Sequence, residues 1–167
     1  DSKRYRTGNM DMRFRGMGIA GPIATGIATN AYGGNPITNY NMETATSGWT
    51  GATRDATQAH GGTYSYQITG SSVDGYQYLT WSASFQGKKV KFWCWVYLTT
   101  TNHDGRIGIN DGVDSTYSSS LSTAGVWTLL TVEKTLSASA TRLRLLLDNV
   151  SGGNAVYFDD AGVTSLD

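Results

Sequence analysis

Turn signals recur along this chain at short intervals, and the segments between them have room for strands but not for helices. Gly61-Gly62, Asp74-Gly75, Gln86-Gly87, Asp104-Gly105, Asp111-Gly112 and Gly152-Gly153 punctuate runs in which apolar and polar residues alternate. Such pairs provide the backbone freedom of tight turns, and a period of two is the mark of a half-buried strand. The pattern predicts strands over 37–43, 49–57, 63–70, 75–84, 88–99, 105–111, 126–136, 141–149 and 155–165. Asp114 to Ser122 is rich in serine and reads as a loop. Strands spaced this closely predict an all-β fold, a single jelly-roll β-sandwich over 37–167 preceded by an extended N-terminal arm over 1–36. Composition agrees, because five Lys and two Glu in 167 residues leave the usual stock of helix-surface residues missing.

The arm has its own character. Met10, Met12 and Phe14 alternate with Asp11, Arg13 and Arg15, a half-strand pattern followed by a small, apolar, Gly-rich run. A lone strand cannot satisfy its own backbone hydrogen bonds, so these residues are expected to add to a sheet, their own or a neighbour's. Gly16-Met17-Gly18-Ile19-Ala20-Gly21 matches G-x-G-x-x-G, but the glycines, Asn30 and Pro36 that follow exclude the helix on which a dinucleotide phosphate would sit. The net charge of zero excludes nucleic acid as a general partner, and no run of apolar residues is long enough to span a membrane. Cys94 is the only cysteine, so there is no disulfide framework, and its place in an apolar run predicts a buried, inert thiol.

The richest binding signal is the run from Lys88 to Leu98. Val90, Phe92, Cys94, Val96 and Leu98 share one face, while Lys89, Lys91, Trp93, Trp95 and Tyr97 share the other. Lysines turn the second face to water, which leaves Trp93, Trp95 and Tyr97 as an aromatic ladder. Indole and phenol rings stack on the apolar C–H faces of sugars, so the ladder is a candidate glycan platform or assembly interface. Tyr76 and Tyr78 are expected to extend it, and Arg142 and Arg144 to bond sugar hydroxyls. Nothing in the sequence has the spacing of a catalytic nucleophile, a zinc site or a hydrolase elbow.

Two segments bracket the sandwich: Asn39-Tyr40-Asn41-Met42-Glu43-Thr44 with Ser47-Gly48-Trp49, and Val156-Tyr157-Phe158-Asp159-Asp160-Ala161-Gly162-Val163. With the loop Gly61-Gly62-Thr63-Tyr64-Ser65, this layout resembles the jelly-roll β-sandwich of carbohydrate-binding modules in the galactose-binding-like superfamily. In that family an N-G-x-F-E opening strand pairs with an I-D-D-V closing strand. Met42 and Tyr40 depart from the usual Phe and Gly. The resemblance implies a structural calcium ion held by Glu43 and Asp159, with Asp160 in reserve, and by loop carbonyls. It also implies packing roles for Trp49 and Trp127. The sequence therefore suggests a non-catalytic structural or adhesion subunit of an extracellular or virion assembly, anchored by its arm and forming homo-oligomers or larger assemblies. The alternative is a carbohydrate-binding module, free or attached to an enzyme.

Overall fold

The computed structural model describes residues 35–166, apart from Thr46, 71–72, 102–103 and 151–152. The arm residues Met10, Met12 and Phe14 lie outside the described residues. Among the described residues, nine strands form two antiparallel sheets: β1 (Thr53–Asp55), β2 (Ser65–Ile68), β3 (Val73–Leu79), β4 (Lys89–Leu98), β5 (Gly105–Asn110), β6 (Ser115–Tyr117), β7 (Thr128–Thr135), β8 (Leu143–Asn149) and β9 (Val156–Ser165). One sheet has the order β1-β2-β9-β4-β7 and the other β3-β8-β5-β6. This is the β-sandwich expected from the strand rhythm.

The alternation read in β4 is the alternation of the structure. Val90, Phe92, Cys94, Val96 and Leu98 are fully buried and face Ile107 and Ile109 of β5 and Leu143, Leu145 and Leu147 of β8. β9 adds Val156, Phe158, Ala161 and Val163 to the same core. Burying a large aliphatic or aromatic side chain here contributes roughly 1.5–3 kcal/mol, so β4, β8 and β9 carry most of the driving force. Burial pushes the Cys94 thiol well above its ordinary range, and its Sγ donates to the Asp159 carbonyl.

Three local expectations change. The opening segment is not a strand, because Asn39, Met42 and Ala45 all have positive φ and no extended run can form through them. Asn39 holds this curl together. Its amide accepts from Thr44 N and donates to the Thr44 and Ala45 carbonyls and to the Tyr66 hydroxyl. The curl still meets the closing strand, since Ala161 N donates to the Tyr40 carbonyl at 2.8 Å.

Asp74-Gly75 is not a turn either but part of β3. A Cβ at Gly75 would stand 2.8 Å from Ile68 Cδ1, so the glycine is there for close packing between sheets. Finally, β6 forms inside the segment read as a loop, where Thr116 and Tyr117 pair with Ile109 and Gly108.

Candidate functional site

The outer face of the four-stranded sheet is built in rows that cross the strands. The first row runs Tyr78, Arg144, Asn110, Ser115, and the second runs Tyr76, Leu146, Gly108, Tyr117. Asp148 and Arg106 stand side by side in the third. Strand spacing puts Tyr76 and Tyr117 about 14 Å apart across the sheet, room for a short oligosaccharide. The residues between them are small or apolar and are covered by their neighbours. Leu146 is fully buried, and Gly108 is a glycine because Tyr117 lies over it, with a Cβ placed 2.7 Å from Tyr117 Cδ1.

Polar groups line the same face. Arg106 Nε donates to Asp148 Oδ2 at 2.6 Å, and its guanidinium lies 3.8 Å from the Tyr117 ring centroid. Arg142 Nε donates to Asn110 Oδ1 at 2.7 Å. Arg144 sits over both Tyr76 and Tyr78, at 5.1 and 5.8 Å, and these two rings meet edge to face. Tyr78 is 52% exposed. Aromatic rings with guanidinium, carboxylate and amide groups among them on one face give both stacking and hydrogen bonding.

The aromatic ladder of β4 is on the opposite face of the molecule. The structure thus divides the residues that the sequence joined into one platform: Tyr76, Tyr78, Arg142 and Arg144 on one sheet, Trp93, Trp95 and Tyr97 on the other. On the second face the rings occupy one another. His60 stacks on Trp95 at 4.0 Å and meets Trp127 edge-on, and Tyr97 packs against Trp127 and Tyr157. Trp93 lies across Gly162, where a Cβ would run into the indole. Lys89 and Lys91 both pair with Glu133. This face is a small aromatic cluster whose ring faces are largely spent on each other. Trp127 belongs to it, and Trp49 is buried in the core against Tyr66.

Glu43, Asp159 and Asp160 gather around the loop from His60 to Tyr64. Glu43 Oε1 accepts from Thr63 N and Tyr64 N, at 2.8 and 2.9 Å. Asp159 Oδ2 accepts from His60 N and Gly61 N, and its Oδ1 from Asp160 N. Asp160 Oδ2 pairs with His60 Nδ1 at 2.8 Å. The loop thus turns amide hydrogens toward the carboxylates, where calcium binding requires carbonyl oxygens. Among the described residues, no three His, Cys, Asp or Glu side chains converge as metal ligands. This donor set does not fit the ion in the present arrangement, and EDTA should leave the melting temperature unchanged.

Burial pushes Asp159 up to about 6, with the neighbouring Asp160 charge adding to it against the amide donors. A carboxyl that binds its proton more tightly when folded opposes folding once ionised. The Asp159 contribution therefore favours the fold increasingly as pH falls from about 6 toward about 4, on the order of 2–3 kcal/mol. Melting curves over that window should show the gain in the native chain and lose it in Asp159→Asn. A flat difference between the two would contradict the assignment.

No family model matches the chain, and no curated protein matches it. Solved structures do. The CBM22-1 xylan-binding domain of Paenibacillus barcinonensis Xyn10C superimposes with a TM-score of 0.61 at 19% identity, covering 77% of this chain and 91% of that one. The chain has the β-sandwich fold of carbohydrate-binding modules. A family 16 carbohydrate-binding module gives a TM-score of 0.58 at 17% identity, over 78% and 99%. The enzymatically active domain of bacteriophage CBA120 tailspike protein 4 gives 0.60 at 12% identity, over 79% of this chain but 21% of that one. At such identities the likeness is one of fold, and function has to be argued from the site.

Sequence reasoning did not single out Tyr117, Arg106 or Asp148. The signal for Tyr117 was present: Ser115-Thr116-Tyr117 follows the Asp111-Gly112 turn and has strand-forming residues.

Proposed function

We propose that this chain is a non-catalytic carbohydrate-binding module that holds a glycan chain across the outer face of its four-stranded sheet. The observation that carries the reading is the make-up of that face: Tyr76, Tyr78 and Tyr117 stand on its rows among Arg106, Arg144, Asp148 and Asn110. Sugar rings stack their C–H faces on the tyrosines, while Arg106, Asp148, Arg142 and Asn110 hydrogen-bond the hydroxyls. The fold shared with the CBM22 and family 16 modules supports this. So does the engagement of both glutamates, Glu43 with the loop amides and Glu133 with two lysines, which leaves neither poised as a hydrolytic acid. A ligand of this class places the chain's work outside the cell. A glycan microarray probed with the native chain and with the double variant Tyr76→Ala/Tyr117→Ala tests the reading. Binding that the double variant loses supports it, and an array with no bound glycan refutes it.

The assembly reading is favoured by one observation, the shared fold of a domain in a phage tailspike. It requires residues 9–28 to pair with a neighbouring chain. Light scattering on the full chain and on a version starting at Ile37 separates the two. Large particles that disappear on truncation indicate an assembly strand, whereas two monomers rule the strand out.

A further inference from the structure

The charge of the tyrosine-walled face narrows the class of glycan. Arg106 and Arg144 stand on its rows, Arg142 reaches Asn110 from just before β8, and Asp148 is the carboxylate beside Arg106.

The three arginines are not held alike. Arg106 has Asp148 and Arg142 has Asn110. Arg144 has the faces of two tyrosines and no carboxylate, and its Nε is buried without a hydrogen bond. Its guanidinium charge has no carboxylate beside it among the described residues, and an anionic acceptor at its outer nitrogens would pair it. The side chain is only half-buried, so an approaching ligand can still reach it. Its position between the exposed ring of Tyr78 and the wall at Tyr76 places that acceptor beside a stacked sugar ring.

We infer that the glycan bound here is acidic, carrying a carboxylate or sulfate ester that pairs with Arg144. This rests on the glycan-binding reading of the same face and refines it. A neutral chain such as xylan offers Arg144 only uncharged hydroxyl and ring oxygens. An acidic chain meets it with a charge-assisted, bidentate pair, the geometry for which guanidinium is suited and ammonium is not.

The test immobilises neutral glycans beside polygalacturonate, alginate, hyaluronan and carrageenan, together with methyl-esterified and desulfated counterparts of the same chains. The expected result is binding confined to the charged chains, abolished by esterification or desulfation and weakened by added salt. Which of the two treatments abolishes it tells carboxylate from sulfate. Arg144→Gln, checked for an unchanged melting temperature, should weaken binding of the acidic chain roughly tenfold to a hundredfold, since one charge-assisted hydrogen bond is at stake. It should leave any weak binding of the esterified chain unmoved, and Arg144→Lys should recover only part of the loss. Equal binding of charged and neutral partners, with Arg144→Gln affecting both alike, overturns the acidic-glycan inference and leaves the glycan-binding reading standing. Binding of nothing on the array overturns both.

Discussion

Asp111→Ala should lower the unfolding free energy by about 3–5 kcal/mol and the melting temperature by roughly 10 °C, the largest stability loss we expect from a single polar substitution in this chain. Asp111 is fully buried at the end of the sandwich. Its Oδ1 accepts from Val113 N and Asp114 N, and its Oδ2 from Ser137 N. Its own carbonyl accepts from Thr141 N and Arg142 N. One residue thus ties the β5–β6 turn to the connection between β7 and β8. Lys134, pointing inward from β7, stands 3.4 Å from Asp111 Oδ2 and also pairs with Asp114. Burial alone would push the carboxyl up. The amide donors and the Lys134 charge outweigh it and hold Asp111 down at about 2.

Alanine removes the acceptor of three amide hydrogens and one of the two carboxylates that pair with the buried Lys134 ammonium. Two controls isolate the effect. Asp114 is largely exposed, so Asp114→Ala should cost no more than about 1 kcal/mol. Lys134→Met keeps the volume and leaves Asp111 its three amide donors, so it should cost much less than Asp111→Ala. The sign with pH is that of a depressed carboxyl. Its contribution is present above the ordinary aspartate range near 4 and fades as pH falls toward about 2. In Asp111→Ala that acid transition should vanish. A loss below about 1 kcal/mol by denaturant titration would contradict the account of this hub.

The second large effect concerns function. Tyr76→Ala/Tyr117→Ala should weaken glycan binding roughly thirtyfold to a thousandfold, because the two rings stand at opposite ends of one row and each stacking contact is worth on the order of 1–2 kcal/mol. Tyr76 and Tyr117 line the outer face and do not belong to the core between the sheets, so the double variant should keep its fold. Equal affinity in the variant would show that the ligand sits elsewhere.

How far these features were legible differs from element to element. β4 was legible because its alternation is strict and both faces have clear destinations, core on one side and water on the other. β8 and β9 were legible instead as apolar runs between turn signals, since both of their faces are largely buried. The opening segment was not, because two positive-φ residues, Asn39 and Met42, lie within the run 37–43 whose letters read as extended, and only Asn39 hints at that conformation. The binding face was misassembled for a topological reason. Consecutive strands commonly pair, so Tyr76 and Tyr78 of β3 were expected beside Trp93 and Trp95 of β4. Here the chain leaves β3, passes Trp81 and the short 3-10 turn Ala83–Phe85, and enters the other sheet. Alternation along a strand fixes which residues share a face. It does not say which strands share a sheet.

The carboxylates around the loop show a different limit. Glu43 and Asp159 do approach the same loop, as the resemblance implied. Whether that loop offers carbonyl oxygens or amide hydrogens depends on the direction of a few peptide planes, which residue letters do not encode. The hub at Asp111 was equally hidden. It reads as an ordinary turn aspartate until the third dimension brings Ser137 and Lys134 to it.

The most direct measurement of the central claim is calorimetric titration of one bound oligosaccharide into three proteins: the native chain, Tyr76→Ala/Tyr117→Ala and Trp93→Ala. The account predicts that binding is lost in the tyrosine variant and unchanged in Trp93→Ala, whose indole lies on the opposite sheet. Loss in Trp93→Ala, with the tyrosine variant binding as the native chain does, would contradict it.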